Sequence, residues 1–444
     1  MKITVKQVFI FCLLMAAPLP WLISVDGMSG LYPYEILTII CFLFILGKRL
    51  FSKAKRQLGN TSSIKSITKF GILFIIFVLI GLIINFFENA FEGKIKTSLQ
   101  LKRIIHVIIT ILVLLGSFLS GFTLFNGKHD LLRVSRVLYI AFLATSVQTL
   151  IVWLYTTGGV IARYNYEPPT GLGQGDTSKI LILGFFFALF LMSYNRGKIK
   201  KIIIVISIII FGITIISIQS RAAYLIFFTQ LFLLSFLINK IGKKKKIRFF
   251  GFLKILSVGA FLYFVSDLVL NSQLFRSINE DMINSDSIES LNKLVVIQDG
   301  INMFFNNPVF GIGWGQFGLH TTAEMFVSGI GQTVASPHNG LVQLLSETGS
   351  LGAFTAIMLC IAILKNIYYQ YKYQQDSKTK LFFCILLILI SIVILVQVLV
   401  SSHLFPPPTQ RNSIKIAFYY WFLIGYALSF MKNNNGYFID TEYR

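Results

Sequence analysis

The chain reads as long apolar stretches separated by short polar ones. A helix needs about 20 apolar residues to cross the hydrocarbon of a bilayer. Twelve stretches approach or reach that length, near 7–25, 31–47, 70–90, 104–126, 132–156, 178–195, 199–219, 222–239, 249–270, 338–364, 381–402 and 414–431. None carries a polar stripe at helical spacing or the period-2 alternation of a barrel strand. The pattern predicts an all-α polytopic membrane protein of about 12 transmembrane helices. Helices one to nine occupy 1–270, a long external connection 271–337, helices ten to twelve 338–431, and a cytoplasmic tail 432–444. The first stretch follows Lys2 and Lys6, as a signal peptide would, but Pro18 and Pro20 interrupt it and no small-residue cleavage site follows. It is read as a retained helix.

Composition narrows the class further. Of 444 residues, 55% are hydrophobic and 13% charged, against roughly 25% charged in soluble domains. A soluble, disordered, collagen-like or disulfide-scaffold protein is excluded. Cys12, Cys41, Cys360 and Cys384 all lie in apolar runs without CxxC spacing, so buried thiols are expected rather than a metal or redox site. A net charge of +22 would suit nucleic acid, but its distribution does not. Alternate connections hold 29 of the 40 Lys and Arg, the positive-inside bias, which puts both termini in the cytoplasm. Lys243 to Lys246 then anchor against anionic lipid, and no nucleic-acid partner is expected. One group breaks the bias: Lys94, Lys96, Lys102 and Arg103 fall on the external side. Either a span boundary there differs, or these cations meet an anionic partner.

The long connection is the least ordinary part of the chain. It carries six carboxylates and only two cations, Arg276 and Lys293. Apolar residues at helical spacing over 286–305 predict an amphipathic helix on the outer interface, stopped by Asn306-Asn307-Pro308. The run Gly311-Ile312-Gly313-Trp314-Gly315 follows. Its spacing is GxGxG, with no strand before it, so a dinucleotide fingerprint is ruled out and a close backbone approach is expected. The tenth helix opens at His338-Asn339-Gly340, with Glu347, Gly349 and Gly352 further in. At 100° per residue, Glu347 points away from His338 and lies nearer the Asn339 side. A carboxylate two turns into a span must face the bundle or a water cavity; for Glu347 the plain role is an acceptor that locks helices together. Arg221, in the short external turn after span seven, needs an anionic partner or must snorkel. Arg163 and Arg411 are weaker candidates of the same kind.

Ser220-Arg221-Ala222, Pro308 through Gly311-Ile312-Gly313, and His338-Asn339 followed by Leu341, Glu347, Gly349 and Gly352 together resemble the O-antigen ligase/polymerase superfamily. The topology matches along the chain, and the motifs concentrate in 215–355. The resemblance implies an integral-membrane GT-C glycosyltransferase that needs no metal or other cofactor. The donor would be an undecaprenyl-diphosphate-linked oligosaccharide, used at the outer face of the bacterial cytoplasmic membrane. The acceptor would be a carrier-linked glycan for a polymerase, with a chain-length regulator as partner, or lipid A-core for a ligase. Membrane lipids surround the enzyme. The resemblance carries the family's essential histidine onto His338 and its pyrophosphate-binding arginine onto Arg221. The second cation falls on Lys293 or Arg276, a departure from the family's arginine.

The chemistry suits these residues. A lipid diphosphate leaves as a stable anion, so it needs cations rather than a general acid. An acceptor hydroxyl needs a base, and a neutral imidazole serves. In-line attack would invert the anomeric centre. Polymerase is favoured over ligase because its acceptor also carries a diphosphate, for which the Lys94–Arg103 cluster is a seat. The rival of another class is a lipid-linked oligosaccharide flippase. Transporters often show internal repeats or paired broken helices, and the sequence shows neither.

Overall fold

The computed structural model describes residues 4–16, 23–25, 28–51, 62–92, 97–157, 174–194, 197–218, 224, 226–234, 286–321, 324–327, 330–333, 337, 339–399, 404–406 and 411–433. The end of the eighth apolar stretch and all of the ninth lie outside the described residues.

Helix dominates. The helices are α1 (Val5–Met15), α2 (Pro33–Phe51), α3 (Ser62–Glu92), α4 (Thr97–Leu124), α5 (Gly127–Thr157), α6 (Gln174–Tyr194) and α7 (Lys198–Ser217), with residues 226–234 also helical. Then come α8 (Asp286–Asn306), the single turn α9 (Phe317–His320), α10 (Gly340–Tyr373), α11 (Ser377–Leu399) and α12 (Arg411–Ser429), which runs on into a 3-10 turn at Phe430–Asn433. Six stretches among the described residues are long and apolar enough to cross a membrane: Lys65–Glu88, Gln100–Leu124, Gly127–Thr156, Thr177–Tyr194, Gly340–Tyr373 and Ser377–Leu395.

One expectation needs correction. The first stretch does not stay helical to residue 25. The helix stops at Met15, and Ile23–Val25 (β1) pairs antiparallel with Met28–Leu31 (β2). Apolar content alone suggested a full span, but Pro18 and Pro20 in the sequence cannot donate to a helix and disfavour helical residues before them. The fold is helical as expected, with two short ribbons beside the helices. Besides β1–β2, Glu324–Val327 (β3) pairs with Ile330–Thr333 (β4) inside the long connection. Both are short two-stranded ribbons, and neither supplies a layer of the core.

α1 belongs to the bundle. Thr4 and Gln7 form a reciprocal capping box, with Gln7 Oε1 accepting from the Thr4 N–H at 2.8 Å. Phe9, Cys12 and Leu13 are buried. Phe9 meets Phe422 at 5.5 Å, and Tyr419 donates its hydroxyl proton to the Leu13 carbonyl at 2.8 Å. α4 and α12 run side by side at close range. Ser117 donates to the Phe418 carbonyl at 2.5 Å, and a Cβ at Gly425 would collide with the Phe118 carbonyl. Small residues that admit a neighbouring backbone are how helices associate in lipid, where burying apolar surface gains little. The four cysteines are free and buried.

The helix ends sort into two sets. At one end the start of α1 meets the start of α5 through Lys6 and Asp130, 2.7 Å apart. There Gly127 donates to Ser429 Oγ at 3.1 Å, and Lys378 lies 3.9 Å from the Tyr194 ring centre. The opposite end carries the starts of α4 and α10 and the segment between α8 and α9. This alternation is what the charge pattern requires of successive spans.

Candidate functional site

The site grows from a break in α10. Asn339 is its N-cap, extended at φ −135°, ψ 115°, and its Oδ1 accepts from the Leu341 and Val342 N–H groups, each at 3.0 Å. Two turns on, Gly349 leaves helical geometry at φ 64°, ψ −172°. A break frees backbone groups that lipid cannot satisfy. Here the segment after α8 satisfies them. Ile312 donates to the Ser346 carbonyl at 2.9 Å, Ser350 to the Pro308 carbonyl at 2.8 Å, and Leu351 to the Val309 carbonyl at 3.3 Å. The broken helix and the glycine run are therefore stitched into one unit.

That stitching explains the glycines. Gly311 has φ 67°, and a Cβ there would lie 2.5 Å from the Glu347 carbonyl carbon. A Cβ at Gly349 would collide with the Val309 carbonyl. Positive φ and close backbone approach make both positions Gly-only. Gly313 and Gly315 also have positive φ, at 93° and 78°.

Residues 311–318 are all buried. Trp314 reaches Phe74, well inside the Lys65–Glu88 stretch, at 5.8 Å between ring centres. The glycine run is thus re-entrant, which lipid permits only where protein covers the backbone. A second segment returns to meet it. Trp421 lies ten residues into α12, yet its indole N–H donates to the carbonyl of Leu404, which precedes that helix, at 2.9 Å. Phe405 packs on Phe74 at 4.8 Å and on Trp421 at 6.1 Å, and Trp421 on Phe118 at 6.1 Å. These rings form a continuous aromatic floor beneath the glycine run.

Glu347 holds the run from the α10 side. It is 1% exposed. Its Oε1 accepts from the Phe317 N–H at 3.2 Å, its Oε2 from Gln343 Nε2 at 3.3 Å, and the Gly315 N–H also serves the carboxylate. Arg103 holds the run from α4: its Nη1 donates to the Gly315 carbonyl at 3.3 Å, and its charge acts on Glu347. α8 closes the third side. Val296 and Met303 pack with Ile312 and Phe317, and Gly300 makes room for Val342. Its other face leaves Leu294, Val295 and Phe305 exposed.

The structure brings Asn339, Glu347, Gly311 and Gly313 into this unit. His338, Arg221, Arg276 and Arg163 lie outside the described residues. Lys293 is in the second turn of α8 and Arg411 opens α12, with only their backbones described. Asn339 spends its Oδ1 on the helix cap. The sequence reading gave Arg103 as one of four external cations that could seat a second diphosphate, without its place beside the glycine run. Two contributors escaped that reading. Gln343 sits one turn before Glu347, a spacing that brings two side chains together. Gln316 follows the glycine run and gave no signal in the sequence.

These features define a multi-pass membrane protein with a re-entrant glycine loop clamped by a broken helix. Residues 206–357, about a third of the chain, match the family model described as O-antigen ligase. The match supports kinship of this region with the O-antigen ligase/polymerase superfamily, a family whose function implies a glycosyltransferase-like enzyme acting on lipid-linked glycans. No curated protein matches the chain.

Proposed function

We propose that this chain polymerises a surface polysaccharide at the outer face of the bacterial cytoplasmic membrane. It would move an undecaprenyl-diphosphate-linked glycan onto a hydroxyl of a carrier-linked repeat unit. Twelve spans with both termini in the cytoplasm would place the broken end of α10 outside. The observation that carries the reading is the stitched unit itself: a re-entrant glycine run locked to the helix that opens with the histidine motif, inside the matched region.

In this mechanism His338 accepts the proton of the acceptor hydroxyl as its oxygen attacks the anomeric carbon. The bond from that carbon to the phosphate oxygen breaks, and the carrier diphosphate leaves with the bonding pair. Arg221, with Lys293 or Arg276, holds the charge that develops on it, and nearby lipid strengthens that attraction. The new bond forms on the opposite face, so configuration inverts. No metal enters the scheme. The exposed apolar face of α8 offers a platform for the polyprenyl tail. The aromatic floor supports one-sided chemistry over passage through the bundle.

The second reading is a ligase with lipid A-core as acceptor, the activity in the matched model's description. A gel of surface polysaccharide from a deletion strain separates the two. Single repeat units left on the core support the polymerase, whereas polymer stranded on the carrier supports the ligase and overturns it.

A further inference from the structure

Beside the glycine run, toward α4, lies a group of polar side chains with few partners among the described residues. Arg103 is half-buried, and the Gly315 carbonyl is its one hydrogen-bond partner among the described residues. That bond uses one of five guanidinium N–H donors. No carboxylate among the described residues is recorded within ion-pair distance of it. Glu347 attracts Arg103, but its oxygens already serve Phe317, Gly315 and Gln343.

Gln100 sits three residues before Arg103 on the same face of α4. It is 1% exposed, and neither its Oε1 nor its Nε2 has a partner among the described residues. Gln316, next to Gly315, is 2% exposed with its Oε1 unpartnered. Buried amides normally find hydrogen bonds, and each one left unmatched costs stability. Two such amides, one a turn before the guanidinium on α4 and one next to the residue it bonds, have the composition of a seat for an anion bearing hydroxyls.

We infer that Gln100, Arg103 and Gln316 form a second substrate subsite that binds a sugar diphosphate, with Arg103 on phosphate oxygens and the two carboxamides on phosphate or sugar hydroxyl groups. This rests on the polysaccharide-transfer reading above and narrows the Lys94–Arg103 cluster to one cation, Arg103, with two buried carboxamides beside it, far in sequence from the matched region. The diphosphate belongs either to the donor carrier or to the acceptor carrier, whose chemistry here is the same.

The test is binding of undecaprenyl diphosphate to the purified full-length chain in lipid nanodiscs, with undecaprenyl monophosphate for comparison. Arg103→Gln is expected to weaken diphosphate binding about tenfold or more, the usual scale for losing charge-assisted bonds. Gln100→Leu is the sharper variant. It replaces an unmatched buried amide by an apolar side chain of similar size, so the melting temperature should hold or rise while binding weakens about fivefold. A purely structural cluster would show no loss of affinity in Gln100→Leu. Wild-type binding that both variants retain in full overturns the subsite alone. Absence of diphosphate binding by wild-type protein overturns the transfer reading as well. In turnover assays, a KM raised by Arg103→Gln for the donor assigns the subsite to the donor carrier. One raised for the carrier-linked acceptor, and not for the same glycan freed of its carrier, assigns it to the acceptor.

Discussion

At the scale of single residues, the site separates into groups that act and groups that hold. Glu347 holds. Its carboxylate satisfies two backbone N–H groups of a buried loop and one amide. Glu347→Ala would leave those donors unmatched and is expected to cost about 3 kcal/mol of stability, read as a lower melting temperature in detergent. His338 acts in the proposed chemistry. His338→Ala should abolish transfer while the protein still inserts and melts as the wild type does, and full-length polymer made by that variant would contradict its role. Arg221→Lys should lower turnover, because a point charge loses the two-pronged grip on phosphate. The sequence made Glu347 legible as an internal acceptor, since a carboxylate inside a span has few other uses. It did not reveal that the donors come from Gly315 and Phe317, some thirty residues away, because periodicity describes one helix and says nothing of a loop re-entering beside it.

At the scale of elements, the break in α10 is the central device. Gly349 was legible only as a glycine in a helix, where it usually costs a little stability and nothing more. The structure gives it positive φ and a backbone neighbour at the Cβ position. Gly349→Ala should therefore destabilise by about 2 kcal/mol or more and reduce transfer. Gly212, in α7, has nothing near its Cβ position. Gly212→Ala should leave both properties unchanged or raise stability slightly, and comparing the two melting temperatures checks the account. α8 was legible almost to the residue, because its apolar spacing is regular and Asn306-Asn307-Pro308 ends it. The end of α1 was not, because an apolar stretch conceals where prolines stop a helix. The β3–β4 ribbon left no trace, being short and without an alternating pattern.

For the whole molecule, the account rests on two dissimilar ends. We propose that one, with Lys6, Asp130 and Lys128, faces the cytoplasm and that the other, with Arg103 and the stitched unit, faces outside. The four native cysteines are buried, so single introduced thiols report cleanly. Lys102→Cys should react with a membrane-impermeant maleimide added to intact cells, and Lys128→Cys only after permeabilisation. Hydropathy and charge made the membrane class and the alternation of helix ends legible, because lipid constrains composition so tightly. The chemistry needed the motif residues as well. The most direct measurement of the central claim combines the purified chain in vesicles with one undecaprenyl-diphosphate-linked repeat unit as the sole glycan. The account predicts a ladder of lengthening products with release of undecaprenyl diphosphate, lost in His338→Ala. Movement of the lipid-linked unit across the bilayer without any lengthening would contradict it.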